Sequence, residues 1–130
     1  MSTAVTTVLI IILIITTTIL LIQQKTSSTK LSPAQFIAAI NQHQYDYLLD
    51  VRTPSEWNEL HHPQATLIPI GTFVTDLPLA VPDKQSKLLI YCKRGIRAEA
   101  AAKIAERLGY SNVYWLDGTF EDLIKQYRKN

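Results

Sequence analysis

The residue best suited to chemistry in this chain is Cys92, the single cysteine among 130 residues. An apolar run over 87–92 predicts a buried strand that ends at this cysteine. The next residues, 93–97 (KRGIR), lead directly into a predicted helix. Such a turn directs backbone N–H groups and the positive end of the helix dipole toward one point. The pattern therefore predicts a nucleophilic thiol in an anion-binding loop.

The residue types within this loop point the same way. Gly95 permits a positive φ or a close approach of the backbone. Lys93, Arg94 and Arg97 place three formal positive charges within five residues, and nearby cations favour a thiolate over a thiol. We therefore expect Cys92 to be reactive. The alternative is a small core residue at the end of a strand, with the cations exposed to solvent.

The length of the loop bears on the anion that it holds. Cysteine phosphatases and related arsenate reductases use a Cys-x5-Arg loop, whereas only four residues separate Cys92 from Arg97. A narrower cradle fits a tetrahedral phosphate ester poorly. It fits a smaller anionic unit better, such as the terminal sulfur of a persulfide.

Strand and helix patterns alternate around the loop. The clearest helix covers 97–108, with Gly109 as its cap. Strands are predicted at 47–51, 66–70, 87–92 and 112–116, helices after Ser32-Pro33, after Thr53-Pro54 and over 120–128, and a Pro-broken loop or short helix at 77–82. The alternation predicts an α/β domain with a small, mostly parallel sheet flanked by helices on both faces. Ligand sites in such sheets lie at the carboxyl ends of strands, where Cys92 is predicted.

The N-terminal segment has a different character. Residues 4–22 contain no charge, Pro or Gly, and consist of 14 Ala, Val, Leu or Ile and five Thr. As a helix they would span about 28 Å, close to the hydrocarbon core of a bilayer. We predict a transmembrane anchor at about 4–22, a polar tether that completes the segment 1–30, and one domain at 31–130. A cleaved secretory signal is the alternative, although no Lys or Arg precedes the run.

The charge distribution excludes some partners. Lys25 and Lys30 account for the formal charge of +2, because residues 31–130 carry 11 acidic and 11 basic side chains. A neutral domain has no electrostatic footprint for nucleic acid. By the positive-inside rule, the two lysines place the domain of this single-pass protein in the cytoplasm, with export to the other side, as in a periplasm, as the alternative. One Cys and three His predict no internal disulfide and no metal site, and we expect no cofactor.

Four blocks along the domain share the order of a known family. They are Leu49-Asp50-Val51-Arg52 with Glu56-Trp57, then Cys92-x-x-Gly95-x-Arg97, then Gly109-Tyr110-x-Asn112-Val113, then Leu116-x-Gly118. Together they resemble the rhodanese (thiosulfate sulfurtransferase) homology domain over about 32–128. The segment 60–69 departs from the family pattern, since Leu60, His62, Gln64 and Leu67 replace a Gly, an Ile, a Gly and an Asn. We expect the wall built by this segment to differ.

The resemblance implies a chemistry for the loop. Cys92 would attack the outer sulfur of a small sulfur-containing anion, thiosulfate or a persulfide, and become a persulfide itself. A thiol of a small molecule or of a protein, or cyanide in the test tube, would then accept the sulfur. The loop residues Lys93, Arg94, Gly95, Ile96 and Arg97 would bind the substrate. Asp50 and Arg52 would support the loop rather than react.

Two other readings stay open at this point. A membrane-tethered binding or sensing module would use the same domain without catalysis. A cysteine phosphatase or arsenate reductase would use the same nucleophile, against the short loop. The adjacent His61 and His62 are expected to be surface or structural residues, because a general base has to be identified by its geometry.

Overall fold

Five short strands form the centre of the domain. The computed structural model describes residues 2–24 and 27–128. The strands are β1 (Thr29–Leu31), β2 (Tyr47–Asp50), β3 (Ala65–Leu67), β4 (Leu88–Tyr91) and β5 (Val113–Leu116). All neighbours pair in parallel, in the order β1-β5-β4-β2-β3. The carboxyl ends of the strands therefore share one edge of the sheet.

Helices cover both faces of this sheet. They are α2 (Pro33–Asn41), α3 (Pro54–Glu59), α4 (Phe73–Ala80), α5 (Ile96–Arg107) and α6 (Phe120–Arg128), with a 3₁₀ turn at Ile70–Thr72. Two hydrophobic cores lie on the two faces of the sheet, and strand β4 contributes side chains to both. Leu88 and Ile90 pack in the core with α4 and α5. Leu89 and Tyr91 pack in the cluster with α2 and α6. The predicted α/β fold with helices on both faces is thus confirmed.

The predicted helix starts are confirmed in their capping chemistry. The Ser32 hydroxyl accepts the backbone N–H of Gln35, and the Gln35 side chain accepts the N–H of Ser32. Thr53 and Glu56 form the same reciprocal pair at the start of α3. Each helix also has Pro in its first turn, where the missing N–H costs no hydrogen bond. The cap at Thr53 fixes the start of α3 close to the end of β2.

Two segments differ from the sequence prediction. Thr29 and Lys30, assigned to the tether, form β1 with Leu31 along β5. The strand predicted at 66–70 is β3, which ends at Leu67 and is followed by the 3₁₀ turn. Of the two alternatives at 77–82, the short helix is the one observed: Pro78 lies inside α4, because the buried side chains of Phe73 and Leu77 hold that helix against the sheet.

The N-terminal segment forms one helix, α1 (Thr3–Gln24). Over Thr3–Ile22 it is long and apolar enough to cross a membrane, judged by length and composition. Four of its threonine hydroxyls donate to a carbonyl oxygen of the preceding turn, those of Thr7, Thr16, Thr17 and Thr18. The hydroxyl groups of these four threonines are therefore satisfied within the helix. The predicted tether includes Lys25 and Thr26, which lie outside the described residues.

Candidate active site

Cys92 follows the last residue of β4 directly, at the carboxyl edge of the sheet. Its side chain is 2% exposed and belongs to the core cluster on the α5 side. The thiol is free. The sequence therefore placed the cysteine correctly, at a strand end in front of a helix N-terminus.

The backbone of the following loop folds around the sulfur. The N–H groups of Gly95 and Ala98 donate to Cys92 Sγ at 3.1 and 3.3 Å. Gly95 adopts φ 95°, a left-handed conformation that side chains rarely take. A Cβ at this position would lie 3.4 Å from the carbonyl oxygen of Leu116, an ordinary van der Waals contact, so it is the backbone conformation that requires glycine. Glycine is thus required for the turn that aims these N–H groups at Sγ.

The other loop residues surround an open hollow of about 240 Å³ above the sulfur. Lys93 and Arg94 are exposed, and neither forms an ion pair within the described part of the chain. The Ile96 side chain is 77% exposed at the mouth. A molecule that enters the hollow therefore meets two cations and one apolar side chain.

Arg97, predicted to bind substrate, points its guanidinium to α3. Its Nη1 and Nη2 donate to the two carboxylate oxygens of Glu56 at 2.6 and 3.0 Å. The Arg97 hydrogen bonds are the main reason why the pKa of Glu56 is lowered to about 2. Glu56 in turn raises the pKa of Arg97. The bidentate pair clamps the first turn of α5 to α3, a geometry suited to holding the loop.

Replacing Glu56 by Gln should destabilise the domain in a pH-dependent way. Gln preserves the capping box of α3 but removes the charge that Arg97 binds. The folded pKa of Glu56 is depressed, so its contribution exists above about pH 4.5 and disappears as the pH falls toward 2. We expect a loss of about 1–2 kcal/mol at pH 7, allowing for the partial exposure of the pair.

Urea unfolding of the wild type and Glu56→Gln across pH 2–7 would measure this effect. Glu99→Gln is the matched control, since Glu99 forms an exposed ion pair with Lys103 at 3.4 Å and should contribute within about 0.5 kcal/mol. An equal loss for Glu56→Gln at pH 2 and pH 7 would contradict the assignment.

Asp50 and Arg52 form a buried pair at the end of β2. Arg52 Nη2 lies 2.9 Å from Asp50 Oδ2, and Nε lies 3.1 Å from both carboxylate oxygens. Arg52 Nη2 also donates to the carbonyl of Leu60 at 2.6 Å. The two side chains are 0% and 4% exposed. The ion pair and the hydrogen bonds described here, all to protein groups, therefore compensate these two buried charges.

Aromatic side chains connect this pair to the cysteine loop. The Arg52 guanidinium lies 3.9 Å from the ring centre of Phe120. The Phe120 backbone N–H donates to the carbonyl of Lys93 at 2.9 Å. Tyr91, the residue before Cys92, lies close to Asp50, and its pKa is raised first by burial and then by the Asp50 charge. These contacts support the predicted role of Asp50 and Arg52 in bracing the loop.

His62 packs beside this cluster as a buried neutral ring. It is 1% exposed, and its backbone N–H donates to the Tyr91 hydroxyl at 3.3 Å. Its Nδ1 accepts the N–H of Gln64 at 3.1 Å. Burial, followed by the charge of His61, lowers the pKa of His62 to about 4. The ring of His61 stacks on Trp57 at 3.6 Å, so both histidines have structural contacts.

The stability of the domain should fall in mild acid because of His62. The folded pKa is below the ordinary value, so the unfolded chain binds the extra proton between about pH 6.5 and 4, and stability is lost over that window. We expect this group to account for about 2 kcal/mol. Asn at position 62 keeps an acceptor for Gln64, and His62→Asn should flatten the pH dependence of unfolding between pH 6.5 and 4.

The control is His43→Asn. His43 is exposed with φ 52°, a conformation that Asn tolerates, so this change removes a histidine without disturbing the core. An unaltered slope in His62→Asn would show that another group carries the acid sensitivity.

The sequence reasoning missed four contributors to this site. They are the Glu56 carboxylate as partner of Arg97, and Tyr91, Phe120 and the Leu60 carbonyl around Arg52. The opposite charges of Glu56 and Arg97 can be read from the sequence, but their pairing cannot, because 41 residues separate them. Only the pairing of strands brings them together.

Comparisons with known proteins decide the family. The sequence profile of the rhodanese-like domain matches residues 32–126. The chain belongs to the rhodanese-like domain family. Cys92 and its loop thus occupy a rhodanese-like domain that covers nearly all of the structure after α1.

Named relatives of this rhodanese-like domain include two kinds of enzyme. A tRNA uridine(34) hydroxylase of Erwinia tasmaniensis is 35% identical over 85 residues, which cover 62% of this chain and 24% of the relative. A thiosulfate:glutathione sulfurtransferase of Saccharomyces cerevisiae is 32% identical over 88 residues, or 59% of this chain and 63% of the relative. The chain thus spans about a quarter of the hydroxylases and under two thirds of the sulfurtransferase.

Solved structures share the fold. A human single-domain sulfurtransferase superimposes with a TM-score of 0.66 at 22% identity, covering 75% of this chain and 96% of the other. A Helicobacter pylori protein superimposes with a TM-score of 0.61 at 33% identity, covering 74% and 82%. The whole domain, rather than one motif, is therefore common to these proteins.

Proposed function

We propose that this protein is a sulfurtransferase in which Cys92 carries sulfur as a persulfide. The observation that carries the proposal is the loop geometry, in which a cysteine accepts two backbone N–H bonds at the base of an open, cation-lined hollow. The sulfurtransferases among its relatives support the same chemistry. The hydroxylase relatives support it less, because the chain matches only about a quarter of their length.

The first half-reaction is a displacement at sulfur. The Cys92 thiolate attacks the outer sulfur of thiosulfate, a new S–S bond forms, and the bond to the sulfonate sulfur breaks with its electron pair. Sulfite leaves, and Cys92 holds a persulfide anion. The N–H groups of Gly95 and Ala98 already donate to Sγ and stabilise negative charge there. The remaining loop N–H groups would hold the outer sulfur.

The second half-reaction regenerates the free thiolate of Cys92. A thiolate attacks the outer sulfur of the persulfide, the S–S bond to Cys92 breaks, and the thiolate of Cys92 is restored as a persulfide of the acceptor departs. Cyanide would react in the same way to give thiocyanate. No redox cofactor is needed, since the sulfur moves between two thiolates.

Intact-mass measurement of the full chain in detergent would test the proposal. Incubation with thiosulfate should add one sulfur atom, which a reducing thiol removes. Cys92→Ala is the control and should add none. A wild-type chain that gains no sulfur from thiosulfate or from a small persulfide would overturn the sulfurtransferase assignment and leave a binding or sensing domain.

Lys93 and Arg94 should speed the capture of an anionic donor. Both are exposed cations at the hollow, and such charges act mainly through attraction that salt screens. Replacing both by Gln should lower kcat/KM for thiosulfate by about tenfold at low salt, and weaken its dependence on ionic strength. Lys103→Gln, on the outer side of α5, is the control. An unchanged salt dependence in the double variant would assign the steering to other groups.

A further inference from the structure

We propose that the Cys92 hollow faces away from the membrane, so that its sulfur donor and acceptor are molecules dissolved in the aqueous phase. This inference rests on the proposed function and on α1 as a membrane span. The inference rests on where the chain enters the sheet. The first strand after α1 is β1, one of five parallel strands, so the chain enters at the edge of the sheet where all the strands begin.

The entry point lies at the amino edge of the sheet. Strand β1 begins at Thr29, and only four residues separate it from Gln24, where α1 ends. It runs parallel to β5, and β5 runs parallel to β4. Cys92 follows the carboxyl end of β4. The attachment to α1 and the cysteine are therefore at opposite edges of one sheet.

Helix α5 marks the separation between these edges. Its first turn contacts the sulfur through the Ala98 N–H, and Glu106 in its last turn accepts the backbone N–H of Ser28. Twelve residues of α-helix extend about 18 Å. Ser28, just before β1, is thus held at the end of α5 that is farthest from Cys92.

The chain between α1 and β1 is too short for the domain to place its cysteine loop against the membrane. From Gln24 to Ser28 a fully extended chain covers about 14 Å. With the cysteine loop against the lipid, Ser28 would stand about 18 Å or more above the surface, since α5 alone has that length. Tilting the domain turns the hollow sideways along the membrane but not into it. A sulfur carrier buried in the bilayer therefore cannot reach Cys92.

Two labelled variants of the full chain would test this orientation. In a Cys92→Ser background, the introduced cysteine is the single thiol and can carry a nitroxide. Ile96→Cys places the label at the mouth of the hollow, where the native side chain is 77% exposed. Ser111→Cys places it at the amino edge, on an exposed residue whose N–H donates to the Lys84 carbonyl.

Each variant is reconstituted in phosphatidylcholine vesicles that contain a lipid with a Ni²⁺-chelating headgroup. Paramagnetic relaxation of the nitroxide falls steeply with distance from the nickel layer. We expect severalfold stronger relaxation at position 111 than at position 96. Equal relaxation, or stronger relaxation at 96, would overturn the proposal, as would a chain that does not float with the vesicles.

This readout is independent of turnover. If the labelled variants show the expected relaxation but the wild-type chain gains no sulfur in the mass measurement, the proposed function is lost while the orientation stands. If the wild-type chain forms the persulfide but the label relaxes more strongly at position 96, the function stands and the orientation is lost.

Discussion

Cys92→Ser should lower the rate of sulfur transfer by at least about a thousandfold, because the step needs a nucleophile that forms an S–S bond. Serine is nearly isosteric, and its oxygen can accept the N–H bonds that Gly95 and Ala98 give to Sγ. The loop should therefore keep its shape. A hydroxyl is a far weaker nucleophile than a thiolate and cannot hold a persulfide.

The measurement is the initial rate of thiocyanate formation from thiosulfate and cyanide by the full chain in detergent. Thermal unfolding of the same samples provides the control for folding. Both tryptophans, Trp57 and Trp115, lie in the domain and report it. A folded Cys92→Ser protein that retains turnover within about tenfold of wild type would rule out Cys92 as the sulfur carrier.

The sequence was most informative where chemistry and local structure coincide. The strand before Cys92, the glycine turn after it and the helix from Ile96 all follow from short-range rules, namely an apolar run, a conformation reserved for glycine and a helical stripe. The capping boxes at Ser32 and Thr53 were equally local. Features of this kind can be predicted because the residues that determine them are neighbours in sequence.

The misses have a different physical origin. The three residues of β1 are exposed or half-exposed, and their strand exists through backbone hydrogen bonds to β5 rather than through an apolar pattern. The Arg97–Glu56 clamp and the contact of Arg52 with Phe120 join segments 41 and 68 residues apart. Such pairs depend on strand order, which a single sequence does not encode locally. The role of Asp50 and Arg52 as braces stays a prediction, and their buried ion pair beside Phe120 is the contact that supports it.

Removing either member of that buried pair should be the most damaging change to stability. Asp50→Asn leaves the Arg52 charge inside the protein without a counter-ion, and Arg52→Met leaves the Asp50 carboxylate in the same condition. Breaking a buried pair in this way costs about 3–5 kcal/mol. The whole domain is expected to have only about 5–15 kcal/mol of stability. Each single variant should therefore unfold at much lower urea than the wild type.

A double-mutant cycle distinguishes the pair from two independent side chains. In Asp50→Asn with Arg52→Met neither charge remains, so the combined loss should be smaller than the sum of the single losses by about 2 kcal/mol or more. Arg52→Lys keeps the charge but not the planar fork that spans both Asp50 oxygens and the Leu60 carbonyl, and it should fall between wild type and Arg52→Met. Additive losses in the cycle would contradict the pairing. If the coupling is found, the same variants should also lose sulfur transfer in proportion to loop disorder, because Phe120 links Arg52 to Lys93 beside the cysteine.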